Sequence, residues 1–284
     1  MRFSLIMGTV DRTSEPERLL ASLKAQSHRD FELIVVDQNP DDRLVSLLRT
    51  YEDTLSITHI RERKRGASRA RNIGIEYASG DILGFPDDDC WYPPDLLGKV
   101  VETFVHHPEL DGLTGRLTDC HGRVVMGRFD LSPGRIDRFN VWVRGIEATI
   151  FLRRSRVEGL GFFDESLGVG SGTVWGGGEV TDLLLRLLAG GKLLYYYPDI
   201  VIGHPPFVAQ YDAMALRKAY LYGCGMGRVL RDHKAPLRLK AKWLIRPLGG
   251  TVLSITSLRP ARALYYFNSF RGRLRGMLSG TLVP

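Results

Sequence analysis

Three consecutive carboxylates, Asp87, Asp88 and Asp89, follow an apolar segment that ends at Phe85. In an extended segment alternate side chains point to the same side, so we expect Asp87 and Asp89 on one side and Asp88 on the other. Two carboxylates about 5 Å apart repel each other by roughly 3 kcal/mol at an effective dielectric constant near 20, which favours a bound cation. Mg²⁺ and Mn²⁺ prefer carboxylate oxygens and often share their coordination shell with phosphates. Two interpretations stay open at this point, a metal site and an acidic turn that caps the next helix.

A second acidic region begins with a glycine-rich segment, residues 168–178, and leads into a helix that carries Glu179 and Asp182. Glycines let such a loop close over a ligand, and the ring of Trp175 offers an apolar plate for stacking. The leucines of the helix form one apolar face that is expected to pack in a core. The alternative is a surface loop before a core helix, with the helix dipole stabilising both carboxylates.

Six Lys and Arg residues lie between Arg61 and Arg71, around the start of a predicted helix. Helix N-termini attract anions, and Gly66 gives the preceding loop the flexibility to approach one. This segment is therefore a candidate for binding phosphate, and a solvated charged surface is the alternative.

These residues are positioned by short apolar segments that alternate with amphipathic ones. Strands are predicted at 3–10, 31–37, 55–60, 81–85, 112–117, 147–152 and as a pair around 193–202; helices are predicted at 14–26, 41–51, 68–78, 95–106 and 179–189. Strands this apolar, separated by helices of about ten residues, indicate an α/β fold with a mostly parallel sheet covered on both faces.

Ligands of such sheets bind at the carboxyl ends of the strands. Thr9 and Asp11 follow the first predicted strand, Asp37 ends the second, and the three consecutive carboxylates follow the fourth. The polar side chains at these strand ends are therefore the main candidates for ligand contacts.

The charge of the 284-residue chain is unevenly distributed. Residues 1–212 contain 25 Lys and Arg against 31 Asp and Glu, whereas residues 213–284 contain 14 against 1. With 44% hydrophobic and 25% charged residues, the composition excludes a disordered or collagen-like chain. Three scattered cysteines exclude a disulfide framework, and no apolar run is long enough to span a membrane. We expect a cytoplasmic protein with a boundary near residue 212.

The basic part, residues 213–284, alternates Lys and Arg with aromatic and aliphatic residues. This pattern is typical of helices that lie on an anionic membrane surface. The alternatives are helices that cover the acidic part of the chain, or a nucleic-acid-binding region. No recognised reading motif accompanies the basic residues, so a nucleic-acid partner is not expected.

Taken in order, these motifs resemble the nucleotide-sugar-dependent glycosyltransferases of family 2, which have the GT-A fold. The resemblance covers about residues 3–206 and rests on four features: the strand ending at Asp37, the stretch 65–81, the carboxylates 87–89 as an Asp-x-Asp motif, and the region 177–204. It implies an inverting, metal-dependent transfer of sugar from a UDP-, GDP- or dTDP-sugar to a hydroxyl of a glycan or lipid-linked acceptor. Because the basic part would hold the active site near a membrane, we expect a role in surface polysaccharide or glycolipid synthesis on the inner face of the cell membrane.

The resemblance also implies roles for individual residues. Nucleotide-sugar contacts are expected from Thr9, Asp11, Asp37, Arg65, Arg71, Asp87 and Asp88; Mn²⁺ or Mg²⁺ ligands from Asp89, Asp87 and His204; and an acceptor-side contact from Trp175.

The sequence departs from the family at the helix that family members open with Glu-Asp. The second acid of that pair is the expected general base, but the matching residues here are Glu179 and Val180. Valine cannot accept a proton, so the base is Glu179, or Asp182 one turn later, or the chain is a catalytically impaired nucleotide-sugar-binding protein. A sugar nucleotidyltransferase is a further alternative, but the glycine-rich loop typical of that class is not evident after Phe3–Val10.

Overall fold

The apolar segments form the strands of an eight-stranded sheet. The strands are β1 (Phe3–Thr9), β2 (Phe31–Asp37), β3 (Ile57–Arg61), β4 (Ile82–Gly84), β5 (Gly112–Thr118), β6 (Gly134–Arg135), β7 (Ile150–Arg153) and β8 (Leu194–Gly203). Their order across the sheet is β3-β2-β1-β4-β7-β5-β8-β6. β1 to β4 are parallel, as are β5 and β8, whereas β7 runs antiparallel to β4 and β5, and β6 to β8. The prediction of an α/β fold with a mostly parallel sheet is confirmed.

The computed structural model describes residues 1–125, 127, 129–206 and 210–279. Its helices are α1 (Glu15–Lys24), α2 (Val45–Arg49), α3 (Ala67–Glu76), α4 (Leu96–His106), α5 (Val141–Arg144), α6 (Arg154–Val157), α7 (Glu179–Ala189), α8 (Ala213–Asp232), α9 (Leu237–Thr256) and α10 (Pro260–Leu278). Within these described ranges, no helix combines the length and apolar content that crossing a bilayer requires.

The chain divides into two compact units that are discontinuous in sequence. The first unit contains Met1–Arg65, Arg69–Phe162 and Leu183–Phe207, and the second contains Gly66–Ser68, Phe163–Asp182 and Val208–Pro284. Separate roles for residues 1–212 and 213–284 stay a prediction, and the last five residues of the second range lie outside the described residues.

The core of the first unit explains why its early strands are mostly apolar. Every residue of β2 is buried, and so is every residue of β1 except the half-buried Gly8. Strands covered on both faces cannot alternate polar and apolar side chains, because both faces are removed from water.

Among the elements that differ from the prediction, two have clear local physical reasons. The helix predicted over 41–51 forms only at Val45–Arg49, because Arg43 N–H donates to Asp41 Oδ1 in a local turn that competes with helix. The strand pair predicted around 193–202 is the single strand β8, whose pairing with β5 shifts register between Thr114 and Arg116. Pro198 lies in the interrupted part of this ladder and has no N–H to donate to it.

Helices α8 and α10 of the second unit pack backbone to backbone through glycines. Gly223 and Gly227 on α8 face Gly272 and Gly276 on α10, each pair spaced by four residues. A Cβ atom at Gly276 would overlap the carbonyl oxygen of Cys224. Small residues at this spacing let two helices approach closely, so the packing of this helix pair depends on them.

We expect Gly276→Ala to lower the free energy of unfolding by about 1–3 kcal/mol, because the added methyl group must push the two backbones apart. Gly249→Ala on α9 is the matched control, since a Cβ there meets no atom within 4 Å. Alanine is favoured over glycine inside a helix, so the control should be neutral or stabilising by about 1 kcal/mol. Chemical denaturation of both variants measures the difference, and equal stability would contradict this account of the packing.

Candidate active site

Side chains from three neighbouring parallel strands of the first unit meet at one edge of the sheet. Thr9 and Asp37 end β1 and β2 and are register partners, and the three consecutive carboxylates follow β4. Thr9 Oγ1 donates a hydrogen bond to Asp88 Oδ2 at 2.7 Å. The residues that the sequence places after β1 and β4 are therefore in direct contact.

Asp89 and His204 form the central pair of this edge. His204 Nε2 lies 3.2 Å from Asp89 Oδ1, and Arg12 Nη2 lies 3.2 Å from Asp89 Oδ2. The hydrogen bond from His204 lowers the pKa of Asp89 despite its partial burial. Burial works against a charged His204, but its hydrogen bonds with Asp89 and the carbonyl of Pro205 outweigh this and raise its pKa.

The orientation of His204 suits a metal ligand. Its Nδ1 lies 2.7 Å from the carbonyl oxygen of Pro205, which can only accept, so Nδ1 carries the proton of this hydrogen bond. Nε2 donates to Asp89 while it is protonated, and loss of that proton leaves a lone pair that a metal ion beside Asp89 can accept. A backbone carbonyl on the other ring nitrogen is a usual partner of metal-binding histidines. Carboxylate oxygen and imidazole nitrogen are both ligands of Mn²⁺.

These two residues fit part of a coordination shell. Within the described ranges, no group of three or more His, Cys, Asp or Glu side chains is arranged to hold a metal ion. Asp87, also expected as a ligand, has its Oδ1 3.9 Å from Arg71 Nη2. A divalent ion held by Asp89 and His204 would therefore take its remaining ligands from water and from phosphate oxygens.

Asp88 differs from its neighbour because it is more deeply buried. Burial raises the pKa of Asp88 to about 6, although the hydrogen bond from Thr9 and the charge of Arg12 act in the opposite direction. Arg12 Nε lies 3.7 Å from Asp88 Oδ1, so this guanidinium contacts both Asp88 and Asp89. Arg12 was not among the candidates from the sequence; the only sequence signal for it is its place directly after Asp11, which does not indicate its partners.

Asp37, the last residue of β2, is a buried carboxylate at the same end of the strands. It is fully buried and accepts hydrogen bonds from the backbone N–H and the side-chain Nδ2 of Asn39 at 2.9 and 2.8 Å. His59 Nε2 lies 3.0 Å from its other carboxylate oxygen. His59 was given no role from the sequence, since only the pairing of β2 with β3 brings it to Asp37.

Asp11, in the loop after β1, and Arg65, in the loop after β3, form a bidentate ion pair. Both Arg65 Nη atoms donate to Asp11 carboxylate oxygens at 2.8 Å, and roughly half of each side chain is exposed. Asp11 has a φ of 59° and donates its backbone N–H to Asn39 Oδ1. A left-handed conformation is uncommon outside glycine and asparagine, so the loop after β1 is held in a specific shape.

The second unit contains the other acidic residues identified from the sequence. Glu179 opens α7 and is 7% exposed. Its carboxyl carbon lies so close to Gly168, which has a φ of 98°, that a Cβ atom there would be 3.0 Å away. Gly168 therefore supplies both the backbone conformation and the space that the Glu179 carboxylate occupies.

Asp182 is engaged elsewhere in the second unit. Its Oδ1 lies 2.7 Å from Nε2 of His233, the residue after α8, and both side chains are largely buried. His233 was also given no role from the sequence, because 51 residues separate it from Asp182.

The glycine-rich segment is tied down by hydrogen bonds of its own backbone. Gly168 N–H donates to the carbonyl of Trp175, and Gly176 N–H donates to the carbonyl of Leu221. The guanidinium of Arg228 lies 5.7 Å from the centre of the half-buried Trp175 ring. The glycine-rich segment therefore agrees only in part with the alternative of a surface loop before a core helix, because several of its backbone groups have fixed hydrogen-bond partners.

Comparison with known proteins defines the class of this fold. The mannosyltransferase PcManGT of Pyrobaculum calidifontis, solved with GDP-Man and Mn²⁺, superposes with a TM-score of 0.67 at 19% identity, covering 96% of this chain and 87% of that one. The fold is therefore GT-A, as the resemblance implied.

The family follows from sequence matches. The family model described as glycosyl transferase family 2 matches residues 4–138, and this part of the chain belongs to that family. An uncharacterized glycosyltransferase of Haemophilus influenzae is 34% identical over 38% of this chain and 36% of its own length. Glycosyltransferase AglE of Haloferax volcanii is 26% identical over 83% of this chain and 76% of its own length. The match to the Haemophilus protein thus spans about a third of that relative.

Proposed function

We propose that this protein transfers a sugar from a nucleotide diphosphate sugar to an acceptor hydroxyl. The observation that carries the proposal is the contact of Asp89 with His204 at the carboxyl ends of parallel strands, in a chain whose first half matches family 2. This is the edge at which α/β sheets bind their ligands. UDP-, GDP- and dTDP-sugars are the candidate donors, and the GDP-Man complex of PcManGT supports this donor class.

Asp89 and His204 would hold the Mn²⁺ or Mg²⁺ ion, with Asp87 as a further expected ligand. When bound, such an ion stabilises the negative charge that develops on the departing diphosphate. We assign Arg71 and Arg65 to the diphosphate of the donor, with which guanidinium groups form charge-assisted hydrogen bonds. Thr9, Asp11, Asp37 and Asp88 are assigned to the nucleotide and sugar.

Inversion requires a single displacement in which the acceptor oxygen attacks the anomeric carbon from the side opposite the diphosphate. The acceptor hydroxyl loses its proton to a general base, and we assign this role to Glu179. The contact of Asp182 with His233 supports the choice, because it gives the Asp182 carboxylate a structural partner. Trp175 is assigned to the acceptor side, where its ring would stack on a sugar.

We expect Asp182→Asn to lower the free energy of unfolding by about 1–3 kcal/mol while turnover of the folded protein stays within about tenfold. The reason is that the substitution weakens a buried contact with His233 and leaves the proposed base intact. His233→Phe removes the same contact from the other side and should destabilise to a similar extent. A loss of turnover above a hundredfold in folded Asp182→Asn would instead assign the base to Asp182.

The acceptor is proposed to be a glycan or lipid-linked hydroxyl used in surface polysaccharide or glycolipid synthesis. The basic charge of residues 213–284 supports a peripheral position on the anionic inner face of the cell membrane, with the protein in the cytoplasm. Such a position would place the protein on a membrane that carries lipid-linked acceptors.

The proposal is tested by measuring nucleotide release from a panel of UDP-, GDP- and dTDP-sugars with Mn²⁺ and with a chelator. We expect release from one nucleotide class that the chelator abolishes, and an inverted anomeric configuration in the product. Tight binding of a nucleotide sugar without release under any condition would favour the impaired binding protein that Val180 suggests. No binding to any nucleotide sugar would contradict the proposal.

A further inference from the structure

Helix α9 has one face that packs inside the second unit. Leu239, Trp243, Pro247 and Ser254 are buried at helical spacing. Arg273 of α10 donates a hydrogen bond to the carbonyl of Trp243 at 2.6 Å, which fixes the rotation of α9 about its axis. The opposite face of α9 therefore has a defined direction, away from α10.

That opposite face carries an apolar stripe. The stripe consists of Leu237, Ile245, Leu248, Val252 and Ile255, which are 81, 63, 37, 60 and 59% exposed. Residues spaced by three and four lie on one side of a helix, so these side chains form a continuous row. Leu258, 89% exposed in the turn before α10, extends the row. Single exposed leucines are ordinary on a protein surface, but a contiguous row of this kind marks an interaction site.

A basic row runs beside the apolar stripe. Arg238, Lys242 and Arg246 follow one another at a spacing of four, and all three are exposed. Arg259 and Arg262 come directly after the stripe. From His233 to the last residue the chain contains ten Lys and Arg residues and no Asp or Glu.

The charges beside the apolar stripe help to decide which of two partners covers it, a second copy of the chain or a lipid membrane. A second copy of the chain would bring the same cations against one another, and like charges across an interface oppose association. A membrane with anionic lipids offers acyl chains to the apolar stripe and phosphate groups to the basic row. The combination therefore favours a lipid surface.

We infer that α9 inserts its apolar stripe into the acyl boundary of an anionic membrane, with its axis parallel to the surface. The inference deepens the proposed membrane association and rests on it. It also centres the membrane-binding segment on residues 237–262, where the apolar stripe and the basic row lie side by side. Attachment then depends on apolar insertion as well as on charge.

The first test compares the full-length protein with the double variant Val252→Glu/Ile255→Glu on phosphatidylglycerol and phosphatidylcholine vesicles. We expect the wild type to prefer phosphatidylglycerol and the variant to lose at least about tenfold in partitioning, since removing one aliphatic side chain from an apolar environment costs roughly that factor. Val105→Glu and Leu131→Glu, at exposed apolar residues of the first unit, are matched controls that should bind as the wild type does.

The second test measures how deeply α9 enters the bilayer. It follows the quenching of tryptophan fluorescence in Val252→Trp by lipids brominated on the acyl chains. Extra quenching relative to the wild type, retained in high salt, is the expected result, because salt screens adsorption by charge but not apolar insertion. Binding that high salt fully reverses, with no extra quenching, would overturn the inference. So would a wild-type dimer that Val252→Glu/Ile255→Glu converts to a monomer, because a second copy would then cover the stripe.

Nucleotide release by the wild type without vesicles is measured in parallel. It tests sugar transfer independently of lipid, so failure of membrane insertion and failure of the proposed function give different results.

Discussion

Replacing Asp89 with asparagine is expected to lower kcat/KM for the nucleotide sugar by about a thousandfold, or about 4 kcal/mol. Asp89 is the carboxylate that contacts His204, and an amide of the same size cannot supply the negative oxygen that a divalent ion requires. The loss should appear in the Mn²⁺-dependent reaction, measured as release of nucleotide across a range of Mn²⁺ concentrations.

Asp95→Asn is the matched control for this substitution. Asp95 precedes α4, is 58% exposed and pairs with Lys99, so its replacement should leave kcat/KM within about twofold. If Asp89→Asn retained Mn²⁺-dependent turnover at the wild-type level, Asp89 would not be a metal ligand.

Replacing Glu179 with glutamine is expected to lower kcat by about 10²–10⁴-fold, which is the usual contribution of general-base catalysis. Glutamine keeps the volume beside Gly168 but cannot take a proton from the acceptor. The KM for the donor should change little, because the proposed base acts on the acceptor hydroxyl. Steady-state kinetics at saturating acceptor separate these two parameters.

Glu158→Gln serves as the control for the second substitution. Glu158 is 54% exposed and pairs with Arg154 one turn away, and it has no role in the proposed chemistry. Wild-type kcat in Glu179→Gln would transfer the base role to another residue.

The sheet and its functional edge could be predicted because the relevant signals are local. β1 and β2 are covered on both faces, so their residues are apolar and the strands are recognisable. Parallel strands place their carboxyl ends together, which is why Thr9 and Asp88 are in contact although 79 residues separate them. The family resemblance, GT-A fold included, followed from the order of these local motifs.

The partners of the polar residues could not be predicted, because they depend on the folded structure. Arg12 contacts Asp88 and Asp89 only through the shape of the loop after β1. His233 meets Asp182 only because the end of α8 packs against the first turn of α7 within the second unit. Nothing in the local sequence of either histidine, His59 or His233, indicates which carboxylate it contacts.

The packing of the basic part of the chain could not be predicted from its sequence either. Its composition indicated amphipathic helices throughout residues 213–284, but periodicity alone does not tell which face meets a neighbouring helix. The glycines of α8 and α10 bring those two helices together, and α9 is left with the exposed apolar stripe.

The central claim is that Asp89 and His204 hold a divalent ion that binds the diphosphate of the donor. Its most direct test is a Mn²⁺ titration of the protein with and without the nucleoside diphosphate of its donor, followed by water-proton relaxation. We expect the wild type to bind Mn²⁺ tightly only with the nucleotide, and Asp89→Asn and His204→Phe each to lose most of this binding. Equal Mn²⁺ binding by the wild type and Asp89→Asn in the presence of nucleotide would contradict it.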